Sequence, residues 1–150
     1  PPDAAGGAAG GAGATVLLVE DEAGVRWVAR RLLERRGHRV LEARHGADGL
    51  RAWEDAGGPA GGVDLVLTDM TMPELGGRLM AARMRERHPA QAVVLMTGYA
   101  DASGREWARA QGLAVVEKPF EGETLLAAVH EALPEALRAA RGDAGGPGPA

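Results

Sequence analysis

The sequence has no cysteine, which excludes disulfides and thiolate chemistry and suits a cytoplasmic setting. Aromatic residues are scarce, with one Phe and one Tyr among 150 residues, so a core built here has to be aliphatic. No apolar run approaches the length of a membrane span, and no charged start leads into an apolar stretch of signal-peptide type. Basic charge is also in short supply. The formal net charge of −4 is the opposite of what a nucleic-acid-binding module needs. Among 17 Lys and Arg residues only Lys118 is a lysine, so it marks a place where Arg does not serve.

What is present divides the chain into three. Pro1 to Ala14 is Ala, Gly and Pro with one charge, and Arg141 to Ala150 has the same character, so neither can bury a core. These read as a flexible linker (1–14) and a flexible tail (141–150) around a folded domain, 15–140, of one-domain length. Two prolines stand where an initiator Met would, which reads as a piece of a longer protein or a processed chain.

Within 15–140, short β-branched runs alternate with helical spacing. Thr15 to Val19 predicts a buried strand. Val25, Val28, Ala29, Leu32 and Leu33 predict a helix closed near Gly37, with Trp27 off the stripe as a partly exposed packing position. Arg39 to Ala43 is more polar, as an edge strand should be. Leu50 and Trp53 belong to a second helix, and Gly57 to Gly62 form a flexible connection. Val63 to Leu67 predicts a third strand running into Thr68 and Asp69, followed by a loop with Pro73 and Gly76-Gly77. Leu79, Met80 and Met84 mark a third helix that stops at His88-Pro89. Ala92 to Met96 is a fourth strand, Ala100 to Gln111 a short and marginal helix, and Leu113 to Val116 a fifth strand. Leu125, Leu126, Val129, Leu133 and Leu137 mark a last helix that Pro134 bends or ends. Five strands alternating with five helices predict a doubly wound parallel sheet with right-handed crossovers.

In such a sheet ligands gather at the strand C-termini. Strand one delivers Glu20 and Asp21 there, strand three Asp69, strand four Thr97 and strand five Lys118. Each has a plainer alternative: helix caps and first-turn acids for the carboxylates, a turn-former for Asp69, a strand-end residue for Thr97, a solvated charge for Lys118. Together they carry more weight than apart. Three neighbouring carboxylates repel one another unless a cation sits among them, and hard oxygen ligands without His or Cys select Mg²⁺. Nucleophile, metal, ammonium and hydroxyl at one rim form the pattern of phosphoryl transfer onto a carboxylate. The four His residues show no metal-ligand spacing and read as surface positions.

VLLVEDE, LVLTDMTMP, VLMTGYA and VEKPF, taken together and in this order, resemble the bacterial response-regulator receiver domain over the whole folded part. The resemblance implies the flavodoxin-like (βα)5 fold with strand order 2-1-3-4-5. It implies that Asp69 takes a phosphoryl group from a phosphohistidine on a histidine kinase or histidine phosphotransfer domain. Mg²⁺ would be held by Glu20, Asp21, Asp69 and the backbone carbonyl of Thr71, while Thr97 and Lys118 grip the phosphoryl oxygens. The Lys118-Pro119 bond is commonly cis in such domains. The output would be a population shift of the face made by the fourth helix, fifth strand and fifth helix. The implied role is a signalling phosphoacceptor with self-phosphotransfer and autodephosphorylation. No contact of this domain with nucleic acid or membrane is expected, whether it stands alone or is the receiver of a hybrid sensor histidine kinase, including the cytoplasmic part of a membrane-anchored one.

Two departures stand out. The family usually has an aromatic three positions before the lysine, and here that position is Val115, so an output face that changes less on phosphorylation is expected. Thr71 and Tyr99 flank the path of an attacking water without an acid or amide to orient it, which predicts slow self-dephosphorylation. The competing class is a haloacid-dehalogenase-type phosphatase with an Asp nucleophile and Mg²⁺. That chemistry needs a second Asp two residues after the nucleophile, where this chain has Thr71.

Overall fold

The computed structural model describes residues 13–72, 75–98 and 101–140. The elements run β1 (Thr15–Val19), α1 (Ala23–Arg35), β2 (Arg39–Ala43), α2 (Gly46–Ala56), β3 (Leu65–Asp69), α3 (Gly77–Arg87), β4 (Ala92–Thr97), α4 (Ala102–Ala110), β5 (Ala114–Glu117), α5 (Gly122–Ala132) and α6 (Glu135–Ala140). All strands pair in parallel in the order β2-β1-β3-β4-β5. This is the flavodoxin-like order that the motifs imply.

Successive side chains of a strand face opposite sides of a sheet, and the chain uses both sides. Val16 and Leu18 of β1, with Leu65, Leu67, Val94, Met96 and Val116, pack against Ala29 and Leu33 of α1 and Leu125 and Val129 of α5. Leu17 and Val19, with Val66, Val93 and Leu95, pack against Trp53 of α2, Met80 and Met84 of α3 and Ala108 of α4. Two aliphatic cores therefore lie back to back, α1 and α5 over one and α2, α3 and α4 over the other. A parallel sheet covered on both faces needs strands apolar at nearly every position, and β3 is buried at all five.

Several expectations shift. The third strand is Leu65–Asp69 and not Val63–Leu67, because Asp64 is used before the strand begins: its carboxylate accepts from the Thr15 N–H at 2.8 Å and its own N–H donates to the Thr15 carbonyl at 2.9 Å. Thr68 and Asp69 are thereby strand residues. The stripe of α1 is narrower than its spacing predicts. Val28 is 43% exposed, while Ala29 and Leu33 are fully buried. Trp27, expected to be partly exposed, is 61% exposed.

Ala14 is fully buried and its carbonyl accepts from the Arg39 N–H at 2.8 Å, so it packs with the core and not with the leading segment. His38, expected at the surface, is buried because its Nδ1 accepts from the Ala14 N–H at 3.1 Å. The Gly57 to Gly62 run is a set of hydrogen-bonded turns, with Gly58 donating to the Trp53 carbonyl and Val63 to that of Gly58, and not a loose connection. Leu133 takes the extended conformation (ψ 149°) that a residue before proline prefers. The last helical stretch is accordingly split at Pro134, and Leu137 of α6 packs back onto the first core.

Candidate functional site

The C-terminal ends of β1, β3, β4 and β5 form one rim, where the sequence places its polar residues. Glu20 directly follows β1 and is fully buried. Its backbone is fixed from two sides: its N–H donates to the Ala43 carbonyl at 3.1 Å, and the Arg26 guanidinium donates to its carbonyl at 2.7 Å. Its carboxylate accepts from the Glu22 N–H at 3.1 Å. Asp69 ends β3 and is 6% exposed. Lys118 bridges the two, its Nζ lying 3.3 Å from Glu20 Oε1 and 3.4 Å from Asp69 Oδ2. Asp21 is exposed, yet carboxylate oxygens of Glu20, Asp21 and Asp69 lie within 4.8 Å of one another.

The backbone brings these groups together closely. The Met70 N–H donates to the Met96 carbonyl at 2.8 Å and the Lys118 N–H to the Thr97 carbonyl at 2.8 Å, which ties the ends of β3, β4 and β5. The Lys118-Pro119 peptide is cis. The start of α3 sits directly on the end of β3: a Cβ on Gly77 would come within 1.9 Å of the Asp69 carbonyl oxygen, so no larger residue fits.

Charge is not balanced at this rim. Burial, reinforced by the charge of Asp69, pushes the Glu20 carboxyl up to about 7. Burial also raises Asp69, with Asp21 adding to the effect, while Lys118 and the Thr71 N–H oppose it. Burial works to lower Lys118, but the charges and hydrogen bonds of Asp69 and Glu20 outweigh it and hold the ammonium above its usual range. One ammonium among three carboxylates leaves room for more positive charge. A donor set of carboxylate oxygens alone fits a hard divalent cation.

A cleft of about 470 Å³ opens here, lined by Asp69, Thr71, Gly98, Asp101 and Lys118. Thr97 reaches the same rim and is buried, but its hydroxyl lies 3.3 Å from the Gly98 carbonyl and 3.4 Å from Asp101 Oδ2. Thr71 is exposed at the mouth. Tyr99 and Pro73 lie outside the described residues. Val115 is half-buried beside the core under α2, α3 and α4, and pairs with Leu95 across the strands.

Sequence reasoning missed Asp101 and Arg26. An Asp opening a helix after a strand is an N-cap signature and could have been found. Nothing in the sequence marks Arg26 as the clamp on the Glu20 carbonyl, because that contact needs the register of α1 against β1.

Comparison with known proteins agrees with this geometry. Residues 16–130 match the response regulator receiver domain. The chain is 39% identical over 121 residues to the sensor kinase CckA of Brucella abortus, a match covering 80% of this chain and 12% of that protein. A response regulator receiver domain from Clostridium thermocellum superposes with a TM-score of 0.73 at 30% identity, over 79% of this chain and 93% of that one. The receiver domain of the hybrid histidine kinase CckA superposes with a TM-score of 0.65 at 31% identity, over 80% and 99%. The chain belongs to the response regulator receiver domain family.

Proposed function

We propose that this receiver domain accepts a phosphoryl group on Asp69 from a phosphohistidine of a histidine kinase or histidine phosphotransfer domain. The observation that carries this reading is the arrangement of Asp69 at the end of β3, 3.4 Å from the Lys118 ammonium and within 4.8 Å of two further carboxylates. A carboxylate oxygen of Asp69 attacks phosphorus, the P–N bond of the phosphohistidine breaks, and its electron pair returns to the imidazole. An acyl phosphate on Asp69 results. Lys118 neutralises charge on the phosphoryl oxygens, the Thr97 hydroxyl donates to one of them, and the buried position of Asp69 limits access of water. Glu20, Asp21, Asp69 and the backbone carbonyl of Thr71 would hold Mg²⁺, which when bound supplies charge neutralisation and alignment of the phosphoryl oxygens.

The acyl phosphate, with up to two negative charges where the carboxylate had one, would then be read out as a population shift of the α4-β5-α5 face. Similarity to a hybrid kinase receiver supports placing the domain, with 14–140 as its folded unit, in a phosphorelay within the cytoplasm. No helix among the described residues is long and apolar enough to cross a membrane.

Intact-mass measurement after incubation with acetyl phosphate and Mg²⁺ tests the reading. The expected outcome is a gain of one phosphoryl group, lost in Asp69→Ala. An unchanged mass in the wild-type chain, or an adduct that survives in Asp69→Ala, would overturn it. Sustained turnover of acetyl phosphate without an adduct would favour a phosphatase.

A further inference from the structure

We propose that Asp101 is a positioning residue that opposes phosphorylation of Asp69 and transmits it to α4, by holding the Thr97 hydroxyl and capping the helix with the same carboxylate. This rests on Asp69 being the phosphoryl acceptor.

Both oxygens of Asp101 are engaged. Oδ1 accepts from the Gly104 N–H at 3.0 Å, which caps the first turn of α4. Oδ2 lies 3.4 Å from Thr97 Oγ1 at the end of β4 and shares that one hydroxyl proton with the Gly98 carbonyl at 3.3 Å. The carboxylate also lines the cleft that holds Asp69 and Lys118. One side chain thus touches the strand end, the helix start and the space where a phosphoryl group would sit.

The helix start is tightly seated on that rim. A Cβ on Gly104 would lie 2.3 Å from Met70 Sδ and 2.4 Å from Asp101 Oδ2, and Met70 directly follows Asp69. Arg105 donates to the Gly98 carbonyl at 3.2 Å and lies 3.4 Å from Glu117 of β5. Anything that disturbs Asp101 is therefore felt in the first turn of α4.

A hydroxyl has one proton to give. The acyl phosphate brings three strong acceptor oxygens and carries up to two negative charges in place of the one on the carboxylate. When Thr97 donates to a phosphoryl oxygen, Asp101 Oδ2 loses that donor and faces like charge across the cleft. The carboxylate is driven outward and its bond to the Gly104 N–H weakens. The first turn of α4 loosens while the rest of the helix keeps its packing. This route needs no swinging ring and is compatible with Val115 on β5.

Asp101→Asn separates charge from capping, since Asn caps as well as Asp. Wild-type chain and Asp101→Asn are treated with sub-saturating acetyl phosphate and Mg²⁺, and phosphoryl occupancy is read by intact mass. Amide exchange at Gly104 and Arg105 is followed in parallel. Removing a like charge across the cleft is expected to raise occupancy by about fivefold. In the wild type, phosphorylation is expected to speed Gly104 exchange by roughly tenfold, as loss of about one capping bond implies. In Asp101→Asn the acceleration is expected to be much smaller. Equal occupancy in the two chains, or Gly104 exchange unchanged by phosphorylation of the wild type, overturns the proposal while leaving Asp69 as the acceptor. A wild-type chain that gains no phosphoryl group overturns both. The wild-type exchange measurement decides the case even if the variant folds poorly.

Discussion

The sheet carries buried polar groups at both ends, and the two ends treat them differently. Near the strand N-termini the Trp53 indole N–H donates to Gln91 Oε1 at 2.8 Å, and Gln91 Nε2 donates to the carbonyls of Val63 and Ala92 at 3.3 and 3.2 Å. His88 meets the Trp53 ring edge-on at 5.5 Å. Trp53 and Gln91 are neutral and partnered, and such a network rigidifies a core. At the C-terminal rim the groups are charged and crowded, and the carboxyls of Glu20 and Asp69 are pushed upward. A buried polar group with matched partners is structure. One left with surplus charge is poised for chemistry.

Substitutions at the two ends should break apart accordingly. Trp53→Ala removes a fully buried indole and strands Gln91, at an expected cost of about 4 kcal/mol in denaturant unfolding. Phosphoryl uptake per folded molecule should survive it. Lys118→Ala should do the reverse, with most phosphoryl uptake lost and a smaller change in unfolding midpoint. If both variants lose stability and uptake in step, the division between the two ends is wrong.

Gly77→Ala comes next. Its Cβ would press on the Asp69 carbonyl oxygen, and about 2–3 kcal/mol of stability should be lost. Uptake should fall as well, because the strain lands on the acceptor itself. The same substitution at exposed Gly24, where a Cβ meets nothing within 4 Å, is the control and should be neutral or slightly stabilising.

The pH dependence has a definite sign. Glu20 rises from 4.5 unfolded to about 7 folded, so between these values the folded state binds more protons than the unfolded one. Without divalent cation, stability is greatest at the acid end of that window and is lost as pH rises through it, by about 2 kcal/mol. Thermal unfolding from pH 4.5 to 7.5 should show this fall, and Glu20→Gln should flatten it. Raised Asp69 works in the same direction. A stability that climbs steadily across the window would contradict the crowding of charge at this rim.

The smallest effect belongs to the solvent-facing side of α1, where Arg30 pairs with Glu34 and Glu42. Arg30→Ala should cost at most about 0.5 kcal/mol, since exposed pairs are screened, and leave uptake unaltered.

Strands β1 and β2 were legible to the residue, because β-branched runs and an edge-strand pattern leave little choice. Glu20, Asp21, Asp69 and Lys118 were legible as a group, because parallel topology carries three separate strand ends to one rim. Other features were not. The start of β3 depends on Asp64 binding the backbone of Thr15, a contact between residues far apart in sequence. Burial of Ala14 and His38 is a mutual arrangement that neither residue signals alone. Exposure of Val28 depends on how α1 is rotated against the sheet, which periodicity constrains only to within a residue or so. Asp101 carries a recognisable cap signature, but its reach to Thr97 appears only once β4 and α4 are set side by side.

The division of the core into two layers has a consequence for how a signal could travel. Val115 belongs with the layer beneath α4, and Val116 with the layer beneath α5. The sheet is a partition between them, and at this edge it is a single strand of four residues. Motion that begins at α4 reaches the α5 side through the backbones of β4 and β5, which touch α4 on one face and α5 on the other. Bulk added at Val115 would be met on one side, and bulk added at Val116 on the other. The short edge strand is thus the thinnest of the walls that couple the two compartments.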